Sequence, residues 1–353
     1  MKTVSIGKYQ IGPDHPPFII AELSGNHHHS VDRALKLIDL AAAAGAQAIK
    51  LQTYTPDSLT IDCDAPDFII QDPKSLWAGR KLYELYQEAN TPYEWHAALF
   101  ERAKKHGLIC FSTPFDEAAV DFLEQFNPPC YKIASFENNH YPLIRKVIKT
   151  GKPVIISLGI SSLEHIQELD AFLKKEGASD AILLKCTSTY PASPLATNLM
   201  TIPFLREKLD LNIGLSDHTL GIGVSVASIA LGARVIEKHF TESRAEGGVD
   251  SAFSMEPHEL KLLVDESLRA WQGLGKMTFE LSEGEKKSIQ FKRSIYVIKD
   301  MQAGEKFTNE NVRIIRPGHG LDPKHMDQVL AGTAKVPLLR GQALRWEMVR
   351  NGV

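Results

Sequence analysis

An α/β architecture, a (β/α)8 barrel (TIM barrel) followed by a small C-terminal domain, is the fold class that this sequence predicts. Three observations carry it. Eight short apolar runs from Phe18 onward are each followed by a segment with helical spacing, which is the count of a (β/α)8 barrel. Two of them, Ile213–His218 and Val235–Phe240, flank a small-residue segment, Gly221 to Gly232, of the length that a parallel crossover needs. Past Trp271 the composition shifts to Gly273-Leu274-Gly275 and then to the charged run Ser282-Glu283-Gly284-Glu285-Lys286-Lys287, which reads as an interdomain linker.

The strand candidates, in order, are Phe18–Leu23, Ala48–Thr53, Leu108–Pro114, Cys130–Phe136, Val154–Gly159, Ala181–Ser188, Asn212–His218 and Arg234–Phe240. Between them, Val31, Ala34, Leu35, Ile38, Ala41 and Ala42 recur at helical spacing, as do Ile166, Leu169 and Leu173. A doubly wound open sheet is the alternative, but it would carry a glycine-rich phosphate loop after the first strand, and Ala21-Glu22-Leu23-Ser24-Gly25-Asn26 is not one. One long insertion breaks the rhythm between the second strand run and the Pro92 helix. It contains Asp62-Cys63-Asp64, Asp67–Asp72 and Trp77-Ala78-Gly79-Arg80, and insertions of this kind are substrate lids or solvated decoration, the former being expected here.

The resulting division is a barrel over 1–275, a linker over 276–288 and a C-terminal domain over 289–353. That last segment repeats itself, Gly304-Glu305-Lys306-Phe307-Thr308-Asn309-Glu310-Asn311-Val312 against Gly341-Gln342-Ala343-Leu344-Arg345-Trp346-Glu347-Met348-Val349. Internal pseudo-symmetry in a domain too small to be catalytic points to a capping or docking role.

A formal net charge of −3 supplies no basic surface for nucleic acid. No apolar span is long enough to cross a bilayer, and Met1 to Gln10 lack a signal-peptide core. Cys63, Cys110, Cys130 and Cys186 are scattered without CxxC spacing, so reduced thiols in a cytoplasmic protein are expected.

In a barrel, the polar residues at the C-terminal strand ends converge on one mouth. They are Glu22 and Asn26-His27 after the first run, Lys50 and Gln52 on the second, Ser112-Thr113 on the third, and Lys132, Ser135 and Glu137 on the fourth. The sixth gives Lys185, Thr187, Ser188 and Tyr190, and the last two give Ser216, Asp217, His218, Glu237, Lys238 and His239. Lysines within strands are costly to bury unless an anion meets them. Lys50 and Lys132, with the hydroxyls of Thr113, Ser135, Ser188 and Ser216, would suit a small phosphorylated acid. The alternatives are ion pairs with Glu22 or Glu137, an outward turn, or a Schiff-base lysine. His218 and His239 on neighbouring strands could hold a divalent metal or be hydrogen-bonded structural residues. Of His27-His28-His29, His27 is expected to face the mouth, and the remaining histidines to lie on the surface.

The motifs Ile20-Ala21-Glu22-Leu23-Ser24-Gly25-Asn26-His27, Ala48-Ile49-Lys50-Leu51-Gln52-Thr53, Ser112-Thr113-Pro114-Phe115, Tyr131-Lys132-Ile133-Ala134-Ser135, Cys186-Thr187-Ser188-Thr189-Tyr190-Pro191, Gly214-Leu215-Ser216-Asp217-His218 and Glu237-Lys238-His239-Phe240 resemble those of the sialic acid synthases. That family condenses phosphoenolpyruvate with an aldehyde sugar. The resemblance covers essentially the whole chain, and the C-terminal segment is similar to the family's antifreeze-like (SAF) domain, with Val312 to Gly320 matching the loop that carries an active-site arginine. It implies that His218 and His239 bind Mn2+, with Mg2+ or Co2+ as alternatives, and that Lys50, Thr113, Lys132, Ser135, Ser188 and Ser216 hold phosphoenolpyruvate. Ser188 departs from the asparagine more usual there.

The resemblance also implies a domain-swapped homodimer in which Arg316 of one chain reaches the sugar in the other's barrel. Glu22 and Glu137 are the acid/base candidates, and Asn26, Tyr190 and Asp250 the candidate sugar contacts. The insertion Asp67-Phe68-Ile69-Ile70, with Leu76 to Tyr86 and Thr91 to His96, is similar to the pseudaminic acid branch, which uses a 6-deoxy-diacetamido sugar. Phe68, Ile69, Ile70 and Trp77 would supply apolar surface for its methyl group. An N-acetylneuraminate or legionaminic acid synthase, and more remotely a non-catalytic carbohydrate-binding protein, are the alternatives.

Overall fold

The structure is a computed structural model and describes residues 2–350. The chain divides into two compact units, Met1–Gly275 and Lys276–Val353.

The first unit opens with a hairpin, β1 (Val4–Ile6) and β2 (Tyr9–Ile11), paired antiparallel. Eight parallel strands follow: β3 (Phe18–Glu22), β4 (Ala48–Thr53), β5 (Ile109–Pro114), β6 (Tyr131–Ile133), β7 (Val154–Ser157), β8 (Ile182–Cys186), β9 (Asn212–Ser216) and β10 (Val235–His239). Their spatial order is β5-β4-β3-β10-β9-β8-β7-β6, so the first and last barrel strands are joined, with His239 opposite Glu22. β5 and β6 pack side by side without a ladder among the described residues, leaving a nearly closed TIM-like barrel. All eight expected runs are strands, most of them trimmed by a residue or more at the ends.

The helices on the outside begin and end where their sequences dictate. Ser30 caps Val31–Ala44 by accepting from the Arg33 amide, and Gly45 ends it at φ 87°, a left-handed turn that glycine adopts without a Cβ penalty. Ser162 caps Leu163–Lys175 in the same way and buries Ile166, Leu169 and Leu173. These faces meet the outward strand residues Ile19, Ala21, Ile49, Leu51, Ile156, Leu183, Ile213 and Leu215.

The inward face of the strands has an apolar floor made of Phe18, Ile20, Ala48, Phe111, Ile155, Ile182, Leu184 and Val235, against which the hairpin packs Val4, Ile6 and Ile11. Each such aliphatic side chain contributes about 1.5–3 kcal/mol by leaving water. The hairpin is not foreseen in the sequence, because three-residue strands carry too little periodicity to register. It closes the end of the barrel opposite the strand C-termini.

The second unit pairs β11 (Ser294–Val297) with β12 (Val312–Ile315) and β13 (Thr333–Ala334) with β14 (Val349–Arg350). Its core includes Met301, Phe307, Val312, Leu338, Leu344 and Val349. The internal repeat is structural: Met301 and Leu338 exchange two backbone hydrogen bonds of 2.9 Å, and the equivalent pairs Phe307/Leu344 and Val312/Val349 are all buried. Residues 272–293 are exposed throughout and include a helix, Glu283–Ser288. No helix among the described residues is long and apolar enough to cross a membrane.

One floor position tests the barrel packing. A Cβ on Gly214 would lie 2.4 Å from the Val235 carbonyl oxygen and 2.6 Å from Leu184 Cδ2. Gly214→Ala is therefore expected to destabilise the barrel by about 1–3 kcal/mol, read as a lowered urea midpoint, and an unchanged midpoint would refute the close approach.

Candidate active site

Strand alternation dictates what stands above the floor. Two residues beyond Ile20, Ala48, Phe111, Ile155, Leu184 and Val235 come Glu22, Lys50, Thr113, Ser157, Cys186 and Glu237, and Lys132 and Ser216 complete the layer on β6 and β9. Lys185 and Lys238 are out of phase and point outward, the first donating to Thr187 Oγ1 at 2.6 Å and the second paired with Asp217 at 3.0 Å.

Lys50 and Lys132 are 3% and 1% exposed, and two buried ammonium groups demand countercharge. Glu237 lies between them, its Oε1 3.4 Å from each Nζ. Lys50 also pairs with Glu22 and donates to Thr113 Oγ1 at 3.3 Å. Lys132 donates to Ser157 Oγ at 2.7 Å, and Ser216 donates to Glu237 Oε1 at 3.2 Å. Burial brings the Lys50 ammonium down to about 7 against the pull of Glu237. Burial would push the Glu237 carboxyl up, but Lys132 and Lys50 outweigh it and hold it below the usual range.

A cradle of hydroxyls lies beside this network. Ser135 Oγ donates to Cys186 Sγ at 3.2 Å, and a Cβ on Gly159 would fall 1.9 Å from Ser188 Oγ and 2.6 Å from Ser135 Oγ. The bare glycine is thus what lets the two hydroxyls converge. Next to them Glu137 has a buried Oε2 without a hydrogen-bond partner, and burial, opposed by Lys132, raises its carboxyl to about 7.

His218 and His239 face one another with ring centroids 5.3 Å apart. His218 Nδ1 lies 3.0 Å from the Thr187 carbonyl, an acceptor that fixes the Nδ1–H tautomer and leaves Nε2 as the free lone pair. His239 Nδ1 is buried without a hydrogen-bond partner and lies 3.9 Å from Asp250 Oδ2. An available lone pair and an orphaned buried nitrogen fit a divalent ion on this pair. No group of three or more His, Cys, Asp and Glu side chains arranged to hold a metal occurs among the described residues, so the pair would need oxygen ligands from water or substrate. The Tyr190 ring packs at a 50° tilt against His218, with centroids 4.5 Å apart. Asp250 is held by Ser24 and accepts its hydroxyl proton, and burial raises its carboxyl.

These groups line one cavity of about 400 Å³. Glu22, Lys50, Lys132, Ser135, Glu137, Ser188, Ser216, His218 and Glu237 stand on its polar side, while the insertion contributes Leu59, Ile70, Trp77, Leu82, Leu85 and Tyr86.

Several expectations meet a different placement. Asn26 is fully buried away from the cavity, its amide donating to the Phe240 carbonyl and Ser254 Oγ, both at 2.9 Å, so it braces the loop after β10. Thr113 holds Lys50 and does not line the cavity. His27 packs under Trp95 at 5.3 Å and accepts from the His29 amide, because the chain turns left-handed at Ser24, His28 and His29. His96, expected at the surface, is buried between Thr53 Oγ1 at 2.8 Å and the Pro92 carbonyl at 3.1 Å, and burial lowers it to about 4. Phe68 and Ile69 do not reach the cavity wall. Arg316 belongs to the second unit, where it follows β12 and is exposed. Glu237 is at the mouth as expected, but its place between the two lysines is not legible in the sequence, and nothing local marks Gly159.

The sequence pattern of the NeuB family matches residues 37–279 and that of the SAF domain residues 292–350. The chain is 47% identical to the pseudaminic acid synthase of Campylobacter jejuni over 94% of its own length and 96% of that protein's. It is 41% identical to the pseudaminic acid synthase of Helicobacter pylori, over 90% and 94%. A crystal structure of the N-acetylneuraminic acid (sialic acid) synthetase from Leptospira borgpetersenii aligns with a TM-score of 0.73 at 32% identity, covering 82% of this chain and 96% of that one.

The hydroxyl cradle makes a prediction. Gly159→Ala should weaken phosphoenolpyruvate binding about tenfold or more, the loss of one or two charge-assisted hydrogen bonds, measured below the variant's own unfolding temperature because the added Cβ also crowds Ser135 and Ser188. Calorimetric titration with phosphoenolpyruvate measures it, and wild-type affinity in the variant would remove the cradle from the site.

Proposed function

The chain belongs to the NeuB family, and from that premise we propose that it condenses phosphoenolpyruvate with 2,4-diacetamido-2,4,6-trideoxy-L-altrose to give pseudaminic acid and phosphate. It is a phosphoenolpyruvate-dependent nonulosonic acid synthase, and its pseudaminic acid synthase relatives match it along nearly their full length. The observation that carries the chemistry is the pair of buried lysines, Lys50 and Lys132, beside the Ser135/Ser188 cradle and below two facing imidazoles.

In this reading Lys50, Lys132, Ser135, Ser188 and Ser216 bind the phosphate and carboxylate of phosphoenolpyruvate, and Thr113 orients Lys50. His218 and His239 would hold a divalent ion, Mn2+ in the first instance, which when bound supplies Lewis-acid polarisation of the aldehyde. Tyr190 and Asp250 position the sugar. Carbon 3 of phosphoenolpyruvate forms the new bond to the aldehyde carbon, and Glu137 gives its proton to the aldehyde oxygen. Glu22, aligned by the 3.0 Å hydrogen bond from Gln52, takes a proton from the water that adds to carbon 2. Loss of that hydroxyl's proton and cleavage of the carbon 2–oxygen bond then release phosphate and leave the ketone. Arg316, exposed and without an ion pair among the described residues, serves the sugar in a second copy's barrel, in a domain-swapped homodimer. The four free thiols suit the cytoplasm.

Phosphate release from phosphoenolpyruvate with Mn2+ tests the reaction, offering the altrose derivative, its legionaminic counterpart and N-acetylmannosamine in parallel. Release with the altrose alone is expected, abolished by EDTA and restored by Mn2+. Release with N-acetylmannosamine alone would move the chain to the neuraminate branch.

Glu137 generates a second expectation. Its carboxyl is raised to about 7, so the proton-donating form is present below that pH and is lost above it. At saturating phosphoenolpyruvate, where the bound anion keeps Lys50 protonated, kcat should fall as pH rises through about 7, and Glu137→Gln should remove that limb while lowering kcat about a hundredfold or more. An unchanged pH profile in the variant would exclude Glu137 as the acid.

A further inference from the structure

We infer that the insertion between β4 and the Pro92 turn is a recognition wall for the apolar end of an unphosphorylated amino sugar, and that Trp77 latches it over the cavity. This rests on the synthase reading and names which part of the sugar the site reads and what holds the reader in place.

The cavity is polarised. The lysine and arginine side chains lining it among the described residues are Lys50 and Lys132, both in the layer directly above the floor. The cavity's apolar lining includes Leu59, Ile70, Leu82 and Leu85 from the insertion and Val249 from the loop after β10, segments that follow the strand C-termini and so lie on the mouth side of the lysine layer. A sugar phosphate directed at that wall would lose its hydration to hydrocarbon, and within one chain no lysine or arginine among the described lining residues stands on it. A deoxy carbon or the methyl of an acetamido group loses nothing there and gains by leaving water. The part of the sugar that meets this wall is therefore apolar.

The wall is built from two separate chain segments, and Trp77 joins them. Its indole N–H donates to the Val249 carbonyl at 2.9 Å, and its ring lies 5.8 Å from Tyr190. Val249 directly precedes Asp250, so the same hydrogen bond that closes the wall also ties it to the loop bearing the carboxylate beside His239. Within the insertion, Ile70 and Arg80 are bridged by a 2.9 Å backbone hydrogen bond, and Gly79 returns one to Ile70 at 2.8 Å. Trp77 and Ile70 thus move as one hairpin. Trp77 is a positioning residue and Ile70 a specificity contact.

Trp77→Phe keeps an aromatic ring and deletes the donor. The expected result is a sugar KM raised about three- to tenfold, the worth of one hydrogen bond, an unchanged phosphoenolpyruvate KM, and faster amide exchange across residues 69–81. Ile70→Thr keeps the β-branch but replaces the ethyl arm by a hydroxyl, and should cut the preference for the 6-deoxy sugar over its 6-hydroxy analogue, by about tenfold at most. Equal KM changes for both substrates, unaltered exchange in Trp77→Phe, an unaltered preference in Ile70→Thr, or turnover of N-acetylmannosamine 6-phosphate as fast as the neutral sugars would each overturn the inference. If the unmodified enzyme releases phosphate with no sugar, the proposed reaction fails, whereas the latch is still decided by amide exchange in Trp77→Phe.

Discussion

Two ammonium groups buried in one layer of a barrel are the constraint on which the rest of the site depends. Lys50 and Lys132 could not remain in that layer alone, since an uncompensated buried charge costs several kcal/mol. Glu237 shares its Oε1 between them at 3.4 Å, and Glu22 pairs with Lys50. The lysines therefore stay in position without substrate, and the hydrogen bonds from Lys50 to Thr113 and Lys132 to Ser157 set their direction. Under the proposed reading an arriving anion would meet donors already oriented, which lowers the entropic cost of binding.

The same layer separates two kinds of chemistry. Below it the hairpin and the strand floor exclude water with Ile6, Ile11, Phe18 and Phe111. Above it stand the paired imidazoles, Tyr190 and Asp250, and beyond them the apolar insertion. Burial acts on neighbouring groups with different results because their partners differ. Glu237, between two lysines, stays below the usual carboxylate range, while Glu137, opposed chiefly by one, rises to about 7. Two glutamates of one cavity are thereby divided into an ionised countercharge and a carboxyl that titrates near neutrality, a division that residue type does not reveal.

The second unit follows a different economy. Its strands are two to four residues long, so its stability comes from a compact cluster around Phe307, Leu338 and Leu344 and from the backbone exchange between Met301 and Leu338. The pseudo-symmetric halves bury equivalent residues, Val312 and Val349 among them, which is why the repeat is legible in the sequence at all.

The sequence by itself determined the barrel, because each parallel strand is buried on both faces and must be written as an apolar run, and each covering helix must repeat its apolar residues at helical spacing. It also determined most of the chemistry-bearing positions, since strand ends in this architecture point to one mouth whatever the side chain, and Lys50, Lys132, His218 and His239 are where alternation puts them. Loops carry no such periodicity. The left-handed turns at Ser24, His28 and His29 bury Asn26 and His27 away from the cavity, and neither hydropathy nor spacing encodes that. Tertiary structure alone decided that Glu237 shares both lysines, that Gly159 opens the Ser135/Ser188 cradle, and that Trp77 meets the Val249 carbonyl 172 residues away in sequence. Each of these is a contact between segments distant in the chain, and only closure of the barrel brings such segments within reach.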